Sequence, residues 1–330
     1  MTNTLKRLGW GGAIALIACV ATARGLAQRP DDPFHDRSDT GEIVHVLPTP
    51  ASIHSPHDTQ PTDAPVASGT AVYGASYGSG SLTDHGGPEI SNAAFKAIYW
   101  NGSVANAPGS LGYSSIQSQI SAFISYFGTD GNYSGSPTDD YSIVQQYGSK
   151  NPIAAGIQAL GFRVDTQSTA SKLSDRGVQN YLASLFNSGL ETPSANTLFG
   201  IYFPSGMKIT LQGGTSCSSF CGYHSHFTYN GTLIKYAVFP YTDCRACSVT
   251  GKSVADILTI VTSHEIREAV TDSLGTAWYD AQGYEADDKC AWHNLYQMTG
   301  GGFWVQPEYS NGGTKNGTSY PGPGCVVPNR

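Results

Sequence analysis

Thr262-Ser263-His264-Glu265-Ile266-Arg267-Glu268-Ala269-Val270-Thr271-Asp272 is the stretch around which the rest of the chain can be organised. On an α-helix, residues four apart stack one turn above another, so His264 and Glu268 share a face and Glu265 lies beside them. The pattern is the H-E-x-x-H of zinc hydrolases with a carboxylate replacing the second imidazole. In that pattern the residue after the first ligand is the general base toward ion-activated water. Histidine and glutamate at these spacings are also common on solvated helical faces. The chain has only seven Glu and nine His in 330 residues, so H-E-x-x-E is expected by chance about 0.004 times. Upstream, Val254, Ile257, Leu258 and Val261 form an apolar stripe that runs into the polar trio. The trio thus continues a buried face, where carboxylates are costly unless paired or bound to metal.

Working outward, the helix opens at Ser253, where Ser253 and Asp256 make a capping-box pattern, and closes before Gly275. Other helical stripes are Ile116, Ile120, Phe123, Ile124 and Phe127 within 113–127, and Val178, Tyr181, Leu182, Leu185 and Phe186 within 174–187. Strands are expected at 94–100, 198–203 and 208–211, and at 226–229 paired with 233–241 around Asn230-Gly231, a hairpin signal. The segment from 278 to 330 is Gly-rich and reads as irregular, tied down by a disulfide.

Residues 1–27 carry Lys6 and Arg7, the apolar run Leu8 to Val20, and Ala21-Thr22-Ala23 or Gly25-Leu26-Ala27 as cleavage sites, the pattern of a secretory signal peptide. The net charge is −7, and losing the leader removes basic residues and no acid. An exported, acidic chain is a poor nucleic-acid binder, and no later segment approaches transmembrane length. Residues 28–87 are rich in Asp, His, Pro, Ser and Thr without a sustained period, and read as a disordered linker or propeptide. Its histidines, His35, His45, His54, His57 and His85, could hold a metal loosely but read foremost as solvated linker residues. The folded domain spans 88–330, enough for one real core.

Cys19 leaves with the leader. Cys217, Cys221, Cys244, Cys247, Cys290 and Cys325 form an even set that reads as disulfides in an oxidising compartment. Proximity favours Cys217 with Cys221, Cys244 with Cys247, and Cys290 with Cys325. A Cys-rich zinc site is the competing reading. The even count opposes a cysteine nucleophile, and no Gly-x-Ser-x-Gly elbow supports a serine one.

A catalytic ion needs a third ligand. A turn through Gly275 returns the acidic loop 278–290 beneath the helix, so Glu285 or Asp288 is expected to join His264 and Glu268, ahead of Asp280. Asp272 suits a hydrogen-bond acceptor behind a ligand; Asp280 and Asp287 read equally well as solvated loop charges. His224 and His226 share a face if Cys217 to His226 is extended, and His224 then serves as ligand or transition-state donor, with a structural role beside a disulfide equally supported. Zn2+ is the expected ion, with Mn2+ or Ca2+ favoured if oxygen ligands dominate.

Ile98-Tyr99-Trp100, Lys172-Leu173-Ser174-Asp175, the C-x-x-x-C-G-x-H of Cys217 to His224, the His264 to Thr271 motif, Ala277-Trp278-Tyr279, and the Glu-x-x-Asp-x-Cys of Glu285, Asp288 and Cys290 occur in order. In them the chain resembles the Exordium or phosphate-induced protein family of secreted plant wall proteins and their microbial relatives. That resemblance implies extracellular or periplasmic residence and a peptidase-like metal site, without an assigned reaction. The expected fold class is α+β: a single mixed α/β domain similar to a zincin-like metallopeptidase, with a mixed sheet, a central metal-binding helix and stabilising disulfides. The expected function is a secreted metal-dependent hydrolase acting on protein or peptide, with Glu265 as base. A non-catalytic wall or matrix protein with a structural ion is the alternative, and carbohydrate chemistry by paired carboxylates a third.

Overall fold

Period-two alternation builds the centre of the molecule. In the computed structural model, which describes residues 33–53, 61–65, 69–128, 139–150 and 152–328, seven strands form one mixed sheet. They are β1 (His35–Arg37), β2 (Ile43–Pro48), β3 (Ala94–Tyr99), β4 (Gln158–Val164), β5 (Thr197–Tyr202), β6 (Phe220–Tyr229) and β7 (Thr232–Phe239). The order is β1-β2-β6-β7-β5-β3-β4, antiparallel from β1 to β7 and parallel from β7 to β4. Three helices cover it: α1 (Ile116–Gly128), α2 (Asp175–Asn187) and α3 (Val254–Thr271). The leader expected at 1–27 lies outside the described residues, as do His54 and His57. Among the described residues no helix is long and apolar enough to cross a membrane.

Alternate residues of each strand enter different cores. Phe95, Ala97 and Tyr99 of β3, Leu198 and Tyr202 of β5, and Ala237 and Phe239 of β7 pack with α1 and α3. Ile98, Phe199, Ile201, Tyr236 and Val238 pack on the other face with Val178, Tyr181, Leu182 and Leu185 of α2. The chain is therefore a mixed α/β domain with its sheet covered on both sides. The β6–β7 turn at Asn230 (φ 46°) and Gly231 (φ 83°) has the positive φ at both central residues that a two-residue hairpin of matching twist demands.

Helix α3 starts as its sequence dictates. Ser253 Oγ accepts from Asp256 N at 3.1 Å while Asp256 Oδ2 accepts from Ser253 N at 2.9 Å, a reciprocal cap. From Ala255 to Thr271 every residue is buried, so α3 is a central helix and not a surface one. Its exit turns on Asp272, whose Oδ1 accepts from Thr276 N and Ala277 N at 2.6 and 2.7 Å.

The expectation of a structureless 28–87 does not hold for its described parts. Strands β1 and β2 form the edge of the sheet, with β2 antiparallel to β6. Phe34, Val44, Val46, Leu47 and Ile53 are buried. Farther on, Ala71–Tyr73 pairs with Gly324–Val327. Scattered apolar residues suffice because each strand adds to a sheet that already exists and need not bury a core of its own.

Three disulfides are present, and two differ from the proximity pairing. Cys217 joins Cys244 and Cys221 joins Cys247, whereas Cys290–Cys325 is as expected. Cys217 stands in the turn that leads into β6, with its N donating to Phe220 O at 2.9 Å, and Cys221 lies on β6 itself. Each cysteine of the first pair reaches across to the turn at Arg245–Cys247. The thiols are consumed, so Cys217, Cys244 and Cys247 do not form a thiolate zinc site. The segment after 278 also holds more pairing than expected, including Glu308–Ser310 against Gly324–Val327.

Candidate metal centre

One face of α3 looks onto the inner face of β6 and β2. Residues 222 and 224 share that face, and the backbone comes so close that a Cβ on Gly222 would lie 2.9 Å from Glu265 Oε1 and against Val261. His224 follows at once. Its Nδ1 is 3.2 Å from Glu265 Oε2 and 3.8 Å from Glu268 Oε2, and its Nε2 is 3.8 Å from Glu285 Oε2. On α3 itself, His264 Nε2 lies 2.9 Å from Glu268 Oε2, the helical four-residue pair read from the sequence.

The loop after α3 returns as expected and brings both alternative acids. Asp288 Oδ1 lies 3.7 Å from His264 Nε2. Asp288 N donates to Glu268 Oε1 at 2.9 Å, and Glu285 N donates to Asp288 Oδ2 at 3.0 Å, so the loop backbone fixes the carboxylates of both elements. Asp272 is buried with its carboxyl facing Glu285; burial raises it to about 6, and the amides of Ala277 and Thr276 offset part of that effect.

His45 of β2 completes the cluster, whereas the sequence reads it foremost as a solvated linker residue and not as a partner of the α3 motif. Register places it directly across from His224. The two rings stack with centroids 5.5 Å apart and planes 18° apart, and His45 Nδ1 lies 3.3 Å from Glu285 Oε2. Gly275 makes room for it: φ there is +65°, and a Cβ would sit 2.5 Å from His45 Nε2. The one hint in the sequence was the alternation Val44-His45-Val46, with an imidazole on the face opposite two apolar residues.

Three groups result, each able to converge on an ion: His264 with Glu268 and Asp288; His224 with Glu268 and Glu285; His45 with Glu285 and Asp288. Exposure is 0–2 % for all of these residues except His45, at 6 %. Several donors have nothing to bond. His264 Nε2, Glu268 Oε2, Glu265 Oε1, His224 Nε2, His45 Nδ1 and both Glu285 oxygens are buried without a hydrogen bond, although a partner atom is often near. Atoms close together yet misaligned for hydrogen bonding are what lone pairs aimed at a shared third point look like.

Electrostatics points the same way. Burial lowers the imidazole of His264 to about 4 and, with His264 adding repulsion, that of His224 to about 3; burial also holds His45 well below its usual range. The histidines are therefore neutral, the form that coordinates metals. Burial and mutual repulsion push the carboxyls of Glu265 and Glu285 well above their usual range, Glu268 being the strongest repelling charge on each; burial with the charge of Asp287 does the same to Glu268.

The other sequence candidates lie elsewhere. Asp287, weighed as a solvated charge, is buried and forks onto Arg267, whose Nε is 3.1 Å from both carboxylate oxygens. Asp280 is buried too, accepting from Lys289 Nζ at 2.6 Å and from the amides of Ser79, Gln282 and Tyr284, so it shapes the loop outside the three groups. His226 is also outside them. No family model matches the chain, and no curated protein or solved structure gives a significant match.

Proposed function

We propose that the chain is a metal-dependent hydrolase of the peptidase type, with His264, Glu268, Asp288, Glu285 and His224 as ion-holding residues and Glu265 as general base. The observation carrying this reading is the set of buried, unbonded imidazole nitrogens and carboxylate oxygens facing one another across α3, β6 and the return loop. Two ligands bonded to one ion at about 2.0–2.2 Å stand roughly 3–4 Å apart. The separations of 3.7 Å for His264–Asp288 and 3.8 Å for His224 Nε2–Glu285 fall in that range, and the 2.9 Å of His264–Glu268 lies at its lower edge. Zinc or manganese suits imidazole mixed with carboxylate; calcium is disfavoured by the imidazoles.

A divalent ion there would polarise a substrate carbonyl and acidify water. Glu265, adjacent in sequence to His264 and held 3.2 Å from His224 Nδ1, which orients its carboxylate, would take that proton. Extracellular residence, supported by the three disulfides, and kinship with Exordium-type proteins belong to the same proposal.

Near-complete burial favours a second reading, a non-catalytic protein whose ion is structural, since no bulky substrate reaches atoms at 0–2 % exposure without movement. Glu265→Gln separates the two. If the hydrolase reading holds, the variant keeps its metal and loses about 10²–10⁴-fold in cleavage of a generic protein substrate; equal cleavage, or none in either protein, selects the structural ion.

A further inference from the structure

We propose that the centre is built for two divalent ions bridged by carboxylates. The inference rests on the metal-binding reading above and adds its stoichiometry and the role of His45. One end is His264 with Glu268 and Asp288; the other is His45 and His224 with Glu285.

Sharing of the acids is the first argument. Glu268 belongs to the groups of both His264 and His224, and Asp288 to those of both His264 and His45. Each thus links the two ends. A carboxylate has two oxygens, and bridging ions about 3.5–4 Å apart is the arrangement of two-metal hydrolytic sites.

Unbonded atoms occur at both ends, which one ion does not explain. His264 Nε2 and Glu268 Oε2 lack hydrogen bonds at the first; His45 Nδ1 and His224 Nε2 lack them at the second, where the Glu285 oxygens face the carboxyls of Glu268 and Asp272, which as carboxylates have no proton to donate. All belong to side chains at most 6 % exposed. At the second end the geometry is already that of a ligand set, with Glu285 Oε2 at 3.3 Å from His45 Nδ1 and 3.8 Å from His224 Nε2.

Charge supplies the third argument. Glu265, Glu268, Glu285 and Asp288 bring four carboxylates into one buried volume, Asp272 adds a fifth beside Glu285, and the nearby cations are engaged elsewhere. Arg267 serves Asp287 and the carbonyls of Asp140 and Gln306; Lys289 serves Asp280. One divalent ion offsets less than half of that charge, whereas two offset most of it, and uncompensated buried charge is strongly disfavoured.

The test uses the full chain, stripped by a chelator and refilled with Mn2+, read by native mass spectrometry and electron paramagnetic resonance. Two ions per chain are expected, with the isolated-ion signal growing over the first equivalent and collapsing through spin coupling over the second. His45→Ala, with its thermal unfolding checked beside wild type, should hold one ion and keep the uncoupled signal. Wild type saturating at one ion, or holding two without coupling, overturns the two-ion centre and leaves the metal reading intact. No bound ion overturns both. If His45→Ala does not fold, wild-type stoichiometry and coupling decide alone.

Discussion

Arg267 and Asp287 form a buried fork, each residue standing immediately before a candidate ligand, Glu268 on α3 and Asp288 on the return loop. The pair sets the register in which helix and loop meet. Arg267 also donates to the carbonyls of Asp140 at 3.0 Å and Gln306 at 2.9 Å, so one guanidinium fastens three segments behind the cluster.

Replacing Arg267 by Met leaves Asp287 charged and buried without its partner, a loss of about 3–5 kcal/mol. Denaturant unfolding should show it, and Mn2+ affinity should fall in parallel as Asp288 loses its placement. Unchanged stability would mean that the fork is dispensable.

Ion removal should destabilise the chain by mass action. With free ion a hundred times above its dissociation constant the native state gains about 2.7 kcal/mol. At roughly 2–4 °C per kcal/mol for a domain of this size, a chelator should lower Tm by several degrees. Disulfides are indifferent to chelators, so identical melting with and without one argues against any resident ion.

Non-reducing peptide mapping should recover Cys217 linked to Cys244 and Cys221 linked to Cys247, not the within-segment pairs. Changing both Cys217 and Cys244 to Ser should cost about 2–3 kcal/mol, because Cys221–Cys247 still closes most of the same loop in the unfolded chain. A Cys217–Cys221 peptide would refute the pairing.

On the opposite face of the sheet, Asp175 Oδ1 accepts from Tyr223 at 2.7 Å and Tyr236 at 2.6 Å, and Oδ2 from Gln179 at 2.9 Å. Burial raises its carboxyl despite these donors, and the charge of Asp39 adds to the rise. A raised folded value means that the folded state holds the proton more tightly. The contribution is therefore complete below the ordinary value of 3.8 and is lost as pH climbs through the raised one. Asp175→Asn keeps an oxygen for both tyrosines, and Gln179 can flip its amide, so this variant should match or exceed wild type at pH 7 and fall behind in acid. Asp175→Ala should lose about 2–4 kcal/mol at pH 7 by taking the acceptor from both hydroxyl protons, although Gln179 still donates to Tyr236. Urea titrations at the two pH values decide; an Asn variant as weak as Ala would show that the charge itself is needed.

What could be read from the residues alone was what local geometry controls. The spacing of His264 and Glu268, the Ser253 cap, the Asn230-Gly231 hairpin and the return of Glu285 and Asp288 after Gly275 depend on a few neighbouring residues. His45 was invisible because its place depends on β2 finding β6, some 180 positions away, and the strand is too short for its alternation to stand out. Cysteine partners failed for a related reason, since two nearby pairs exchange according to which segment lies across from which. Strand β4 was missed because it is an edge strand with mostly exposed residues and a glycine at its centre.

His45 is the most exposed member of the cluster, and it rides on a hairpin at the open margin of the sheet. Peeling β1 and β2 away would uncover the carboxylates, subtract one imidazole and bare the backbone amides and carbonyls of β6 to any extended chain. Seating of the hairpin and the make-up of the cluster are thus mechanically the same event: with the hairpin in place the carboxylates are sealed, and without it they face an open groove and lack the His45 imidazole.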